Sequence, residues 1–190
     1  MKKIVLIMAV TLAFVAAKGQ EVNVGGGAMT IFPIDNKGAV VEISYSHQII
    51  PHLYAMGRFA SYDAVGPKVP YSDNAYIETN TLIGKMLQVG PMVGWTVANR
   101  FDFRLALLAG VDYRSMSTII DHPYVASDGT TGTTWSTITM YETDFRWDIY
   151  ASASWWFTER MGVGLYGSSQ MPRVYDKNGN HFGLLFSIKL

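Results

Sequence analysis

The stretch "FDFRLALLAGVDYR", Phe101 to Arg114, decides the fold. Its alternate residues form two sets. Phe101, Phe103, Leu105, Leu107, Ala109, Val111 and Tyr113 are all apolar or aromatic. Asp102, Arg104, Ala106, Leu108, Gly110, Asp112 and Arg114 mix small residues with alternating acid and base. A repeat of two marks a strand, because successive side chains point to opposite sides of it. Which side points inward then decides where the protein resides.

Seven further stretches carry the same alternation. Val41, Ile43 and Tyr45 oppose Glu42, Ser44 and Ser46, and Leu53, Ala55, Gly57 and Phe59 oppose Tyr54, Met56, Arg58 and Ala60. Leu87, Val89, Val93, Trp95 and Val97 oppose Gln88, Gly90, Met92, Gly94 and Thr96. Phe145, Trp147, Ile149, Ala151, Ala153, Trp155 and Phe157 oppose Arg146, Asp148, Tyr150, Ser152, Ser154 and Trp156. The pattern recurs over 161–170 and 181–190, and most faintly over 21–32 with its triple glycine, Gly25 to Gly27. Tight turns at Ile50-Pro51-His52, Ala98-Asn99-Arg100 and Thr158-Glu159-Arg160 alternate with longer connections at 33–38, 64–85, 116–143 and 171–179. The reading is an all-β chain of about eight antiparallel strands. Pro91 falls mid-strand and removes a ladder donor, so a bulge is expected there, leaving the register before Val93 open by one residue.

Hydrophobic residues make up 49% of the 190-residue chain and charged residues 16%, below the usual quarter. The apolar run 4–17 follows Lys2 and Lys3 and ends in small residues. It reads as a secretory signal over 1–19, cleaved after Gly19, with 20–190 as the barrel domain; a membrane helix needs about 20 apolar residues. Without Lys2, Lys3 and Lys18 the 15 basic residues become 12 against 15 acids, a net charge of −3. With no basic patch, nucleic acid is excluded as a partner. The chain has no cysteine, so an exported domain needs another source of stability, which a closed sheet supplies.

Three features place the apolar set outside. The mixed set is rich in Gly, Ala, Ser and Tyr rather than Lys and Glu, and no lysine stands mid-strand to guard an open edge. Its charges nearly balance: Glu42, Asp102, Asp112 and Asp148 against Arg58, Arg104, Arg114, Arg146 and Lys189. Buried charge is tolerated only when paired, so this set suits a packed polar lumen. The apolar set ends in aromatics at two levels: Trp95, Phe101, Phe103, Trp155 and Phe157 beside the tight turns, and Tyr113, Phe145 and Trp147 opposite. Two aromatic girdles are what the interfaces of a bilayer favour, and a sheet in lipid must close to satisfy its backbone.

The chain resembles the small eight-stranded bacterial outer-membrane barrels, the OmpA/OmpX-like family. The resemblance rests on the signal, the hairpin rhythm and the terminal strand "HFGLLFSIKL", although that family usually ends in Phe where this chain has Leu190, with Phe186 four earlier. It implies an eight-stranded antiparallel up-and-down transmembrane β-barrel in the outer membrane, in contact with the bilayer and outer-leaflet lipid. The short turns would be periplasmic and the longer loops extracellular. Eight strands leave an interior that side chains fill, so a structural or surface-interaction role is expected rather than a diffusion porin. The segments 64–85 and 116–143 would be the sites for an extracellular partner. One alternative is a lipid deacylase or acyltransferase, for which His181 near Ser168 or Ser169 is a starting point, with His47, His52 and His122 as the other histidines. The deacylase-type His-x-Ser spacing is absent, since Gly183 stands there. The other is a soluble lipocalin-like binding barrel. No catalytic, cofactor or metal site is expected from residue spacing.

Overall fold

The computed structural model describes residues 19–32, 36–72, 75–171 and 178–190. The strands are β1 (Gln20–Phe32), β2 (Asn36–Ile50), β3 (Leu53–Gly66), β4 (Val69–Ser72), β5 (Ala75–Val97), β6 (Phe101–Val125), β7 (Thr131–Trp156), β8 (Met161–Gln170) and β9 (Asn178–Lys189). All but β4 join one ring, each paired antiparallel with its neighbours. The first and last strands pair from Glu21–Lys189 to Phe32–Asn178, which closes the sheet. The short β4 pairs only with the arm end of β5.

The register fixes the shape. Crossing the strands from Gln20 through His47, Ala55, Pro91, Leu107, Ile149, Ser169 and Asn180 returns to Thr30, ten residues further along β1, with Leu107 set opposite Pro91 by the register that flanks it, Val89–Ala109 and Met92–Ala106. A stagger of that size on eight strands tilts them about 40° and gives a backbone radius of roughly 8 Å. Each residue then climbs about 2.5 Å along the barrel axis. Phe101 and Tyr113 on β6 therefore lie about 30 Å apart in height, close to the apolar thickness of a bilayer.

Below the arm, alternation holds through every long strand. Val41, Leu87, Leu105 and Leu184 lie on the outside, while Glu42, Gln88, Ala106 and Leu185 are buried inside. Pro91 departs from expectation. No bulge forms: Met92–Ala106 continues the register of Val89–Ala109, and only the ladder pairs at Gly90 and Pro91 on the β6 side are lost. On the β3 side Pro91 stays opposite Ala55. Pro91 needs no extra residue because its missing donor costs one hydrogen bond, whereas a bulge would turn every following side chain to the wrong face.

Two glycines serve the closure. Gly27 and Gly183 face each other across β1 and β9; a Cβ on Gly27 would run into the Phe182 carbonyl, and one on Gly183 into that of Gly26. The Ala98-Asn99 turn holds both residues at positive φ, 53° and 59°, with Arg100 N–H donating to the Val97 carbonyl. Positive φ at both central residues marks a primed turn, matched to strand twist, within a three-residue connection because Val97 pairs with Phe101. Ala is strained in that conformation, so Ala98→Gly should stabilise the barrel by about 1 kcal/mol, read from urea unfolding in detergent. No gain would mean that the turn is already open before the barrel unfolds.

The longer connections are largely strand. β3 runs to Gly66 and β5 starts at Ala75, so most of 64–85 is sheet. The segment 116–143 extends the β6–β7 hairpin, paired without a register break from Phe101–Trp155 to Val125–Thr131. β6 has 25 residues and therefore spans about 60 Å of height, leaving an arm that rises some 30 Å beyond Tyr113. Its tip is fixed by Asp128, which accepts from Thr130 N–H at 2.9 Å and Thr130 Oγ1 at 2.6 Å. These bonds hold the exposed Asp128 carboxyl below its ordinary range.

Candidate functional site

The interior is the first candidate. The structure turns Glu42, Arg58, Asp102, Arg104, Asp112, Arg114, Arg146 and Asp148 into the ring, all buried except Arg104, which is half-buried. They form two charged layers. Toward the arm, Arg146 grips Asp148 through Nε and Nη2 at 2.7 and 2.9 Å and reaches Asp112 with Nη1 at 3.1 Å. Tyr62 donates to both Asp112 oxygens at 2.9 and 3.0 Å. Arg58, only 1% exposed, pairs through Nε with Glu42 at 3.0 Å and donates to Ser168 Oγ at 3.0 Å. It also contacts His181 Nε2 and covers the Tyr150 ring at 5.4 Å. Arg114 stands higher and pairs with Asp144 and with Glu142.

The second layer lies beside the tight turns. Arg104 makes a two-pronged contact with Glu21, at 2.8 and 2.5 Å, and a third with Asp102 at 3.2 Å. Trp156 Nε1 and Thr96 Oγ1 each donate to Asp102 at 2.7 Å, and Lys189 stands over the Trp156 ring at 3.7 Å. A polar recess of about 290 Å³ opens onto this layer, lined by Gln48, Tyr54, Asp102, Arg104 and Lys189 among others.

Two apolar clusters complete the filling, drawn from the apolar members of the inward set. One holds Met56, Met92, Ala106, Leu108, Tyr150, Tyr166 and Leu185, and the other Met29, Ile31, Val40, Ala60, Tyr62, Ala64, Leu82 and Met86. Methionine fills irregular gaps, and four of them sit at inward positions; that parity was the available signal. The chain positions needed to add Glu21, Tyr62, Ser168 and His181 to the network lie on strands remote in sequence, and alternation alone does not pair them.

On the outside, Trp95, Phe101, Phe103, Trp155 and Phe157 are exposed near the tight turns, and Tyr113, Phe145 and Trp147 at the other level. Trp155 and Phe157 stand 6.2 Å apart, and Phe145 and Trp147 meet edge to face at 5.6 Å.

Among the described residues the histidines form no outward-facing serine–histidine–acid set. Ser168 and His181 are paired across β8 and β9, yet both are buried inside, and Ser168 Oγ donates to Asp148 at 3.0 Å. The outward Ser169 instead bonds Asn180 at 2.8 Å. His122 Nε2 lies 2.9 Å from Ser136 Oγ on the arm, while Asp121 is turned to the opposite face, with Lys68 at 3.5 Å. A nucleophile and base without an orienting acid is half of the required arrangement. His52 Nδ1 contacts the Gly94 carbonyl at 3.0 Å, a turn contact. Among the described residues no group of three His, Asp or Glu converges to hold a metal.

A closed ring with charge inside and an apolar band outside, bounded by two aromatic levels, inverts the soluble arrangement. The fold is that of the small eight-stranded outer-membrane barrels of the OmpA/OmpX-like type. Among solved structures, Neisserial surface protein A is similar with a TM-score of 0.61 and 12% identity, covering 92% of this chain and 99% of that one. Ail, the attachment invasion locus protein of Yersinia pestis, in complex with the heparin analogue sucrose octasulfate, is similar with a TM-score of 0.56 and 11% identity, covering 91% and 99%. No family model and no curated protein matches the sequence. The described residues of this chain carry no helix.

Proposed function

We propose that the protein is an outer-membrane barrel, exported by residues 1–19, whose filled lumen anchors a surface arm for interaction. The observation that carries this reading is the β6–β7 hairpin, continuous from the aromatic bands to a tip about 30 Å above Tyr113. The tight turns face the periplasm and the arm faces outward. Beneath the arm, charged layers and apolar clusters fill the bore, so the barrel passes no ordinary solute. Catalysis on outer-leaflet lipid is not favoured, because the Ser168–His181 pair faces the lumen.

The arm is no polyanion site. Between 115 and 143 the charged residues are Asp121, Asp128 and Glu142, with His122, and there is no lysine or arginine. A ligand such as the sulfated sugar bound by the similar Ail would meet net negative charge there.

Protease added to intact cells tests the placement. Cleavage confined to 116–143, leaving a heat-modifiable core, is the expected result, together with no porin-sized conductance in planar bilayers. An arm cleaved only after the cells are opened, or steady solute flux, would overturn the reading.

A further inference from the structure

The outward face of the arm differs chemically from its inward face. Above Tyr113 it presents Ser115 and Ser117 on β6 and Thr143, Tyr141, Thr139, Thr137, Trp135 and Thr133 on β7. Trp135 is 60% exposed and Tyr141 67%. Tyr141 stacks on Tyr113, with centroids 6.5 Å apart and planes 18° from parallel, and Ser117 and Thr139 hydroxyls lie 3.5 Å apart. The nearby charges are engaged or elsewhere. Asp121, cross-strand from Trp135 on this face, is buried and paired with Lys68, while Arg114, Glu142 and Asp144 pair on the inward side. Lys85 stands on β5 opposite Tyr113, at the lower border.

We infer that this face docks the neutral sugars of a neighbouring outer-leaflet glycolipid. Flat aromatic rings offer apolar area to the C–H faces of a pyranose, and threonine and serine hydroxyls both donate and accept, matching sugar hydroxyls. Trp135 and Tyr141 are six residues apart on β7, about 20 Å, which is the reach of a short oligosaccharide rather than of one sugar. Position selects the source. The face begins at Tyr113, directly above Phe145 and Trp147 of the upper aromatic level, and so stands where the head sugars of lipids leave the bilayer. A free glycan offers the same chemistry without that placement. The inference rests on the outward orientation of the arm proposed above.

The test is quenching of Trp135 by acrylamide, taken as the difference between the wild-type protein and Trp135→Phe, each refolded into nanodiscs. Three disc types are compared: glycolipid with its core oligosaccharide, the same lipid without sugars, and phospholipid with soluble core oligosaccharide added. The sugar-bearing lipid should lower Trp135 quenching at least about twofold, and Tyr141→Ser should remove most of that protection. Equal quenching in all three discs would overturn the inference, as would equal protection by the sugar-free lipid. Saturable protection by the soluble oligosaccharide with none from the glycolipid would assign the face to a free glycan and overturn the lipid source. Because nanodiscs expose both sides, the outcome is independent of sidedness, which the intact-cell proteolysis reports separately.

Discussion

Arg146→Ala should destabilise the folded barrel by about 3–5 kcal/mol, the loss expected when one partner of a buried ion pair is removed. Arg146 is 2% exposed and serves two carboxylates, Asp148 and Asp112. Its loss strands both in the bore. Asp112 keeps Tyr62, and Asp148 keeps Ser168 and a more distant Arg58 at 3.6 Å, too little to replace a guanidinium. Arg104→Ala should cost less, because its layer opens onto the recess beside Gln48 and Tyr54, where water can solvate Glu21. Urea titration in detergent, scored by the heat-modifiable band, measures both. A loss below about 1 kcal/mol for Arg146→Ala would show that the upper layer is hydrated and the bore less tightly filled than its contacts imply.

Leu107→Arg should cost about 2–4 kcal/mol in lipid vesicles, the range for arginine at a bilayer midplane. Leu107 points outward midway between Phe101 and Tyr113, and is 39% exposed. In water the same change would be close to neutral. Val125→Arg at the arm tip, likewise outward and apolar, should lie within about 0.5 kcal/mol of wild type. Equal effects at the two positions would place Leu107 in water and contradict the transmembrane reading of the band.

The alternation of 101–114 carried most of the fold because a two-residue period admits no intermediate register: once Phe101 points outward, so must Tyr113. The arm was less legible. Over 131–143 both faces of β7 are wet, so the apolar–polar contrast that signals a strand fades into a Thr-rich stretch resembling a loop. Pro91 was misjudged because the rule against proline in strands weighs a lost donor, whereas here the cost of shifting register was greater. The charged residues of the lumen were readable one by one, but not their partners. Asp102 and Arg104 lie two apart on one strand and could be paired by inspection. Glu21 reaches Arg104 from the far side of the bore, a contact set by the ten-residue stagger, which no single strand records.

That stagger also bears on how the protein is made. The contacts that neutralise the bore join distant parts of the chain: Arg58 meets Ser168 across 110 residues, Tyr150 meets Glu42 across 108, and Arg104 meets Glu21 across 83. A partly assembled sheet would hold these charges with their partners not yet delivered, in a setting where each is expensive to leave bare. Insertion strand by strand therefore gains little until β9 reaches β1 and the Gly27–Gly183 seam shuts, when the missing partners arrive together. The charges in the wall thus act as a completeness check: incomplete rings are penalised and the final pairing is made steeply cooperative. The slow step of biogenesis should accordingly be closure of that seam rather than formation of the long β6–β7 hairpin, whose partners are neighbours in sequence.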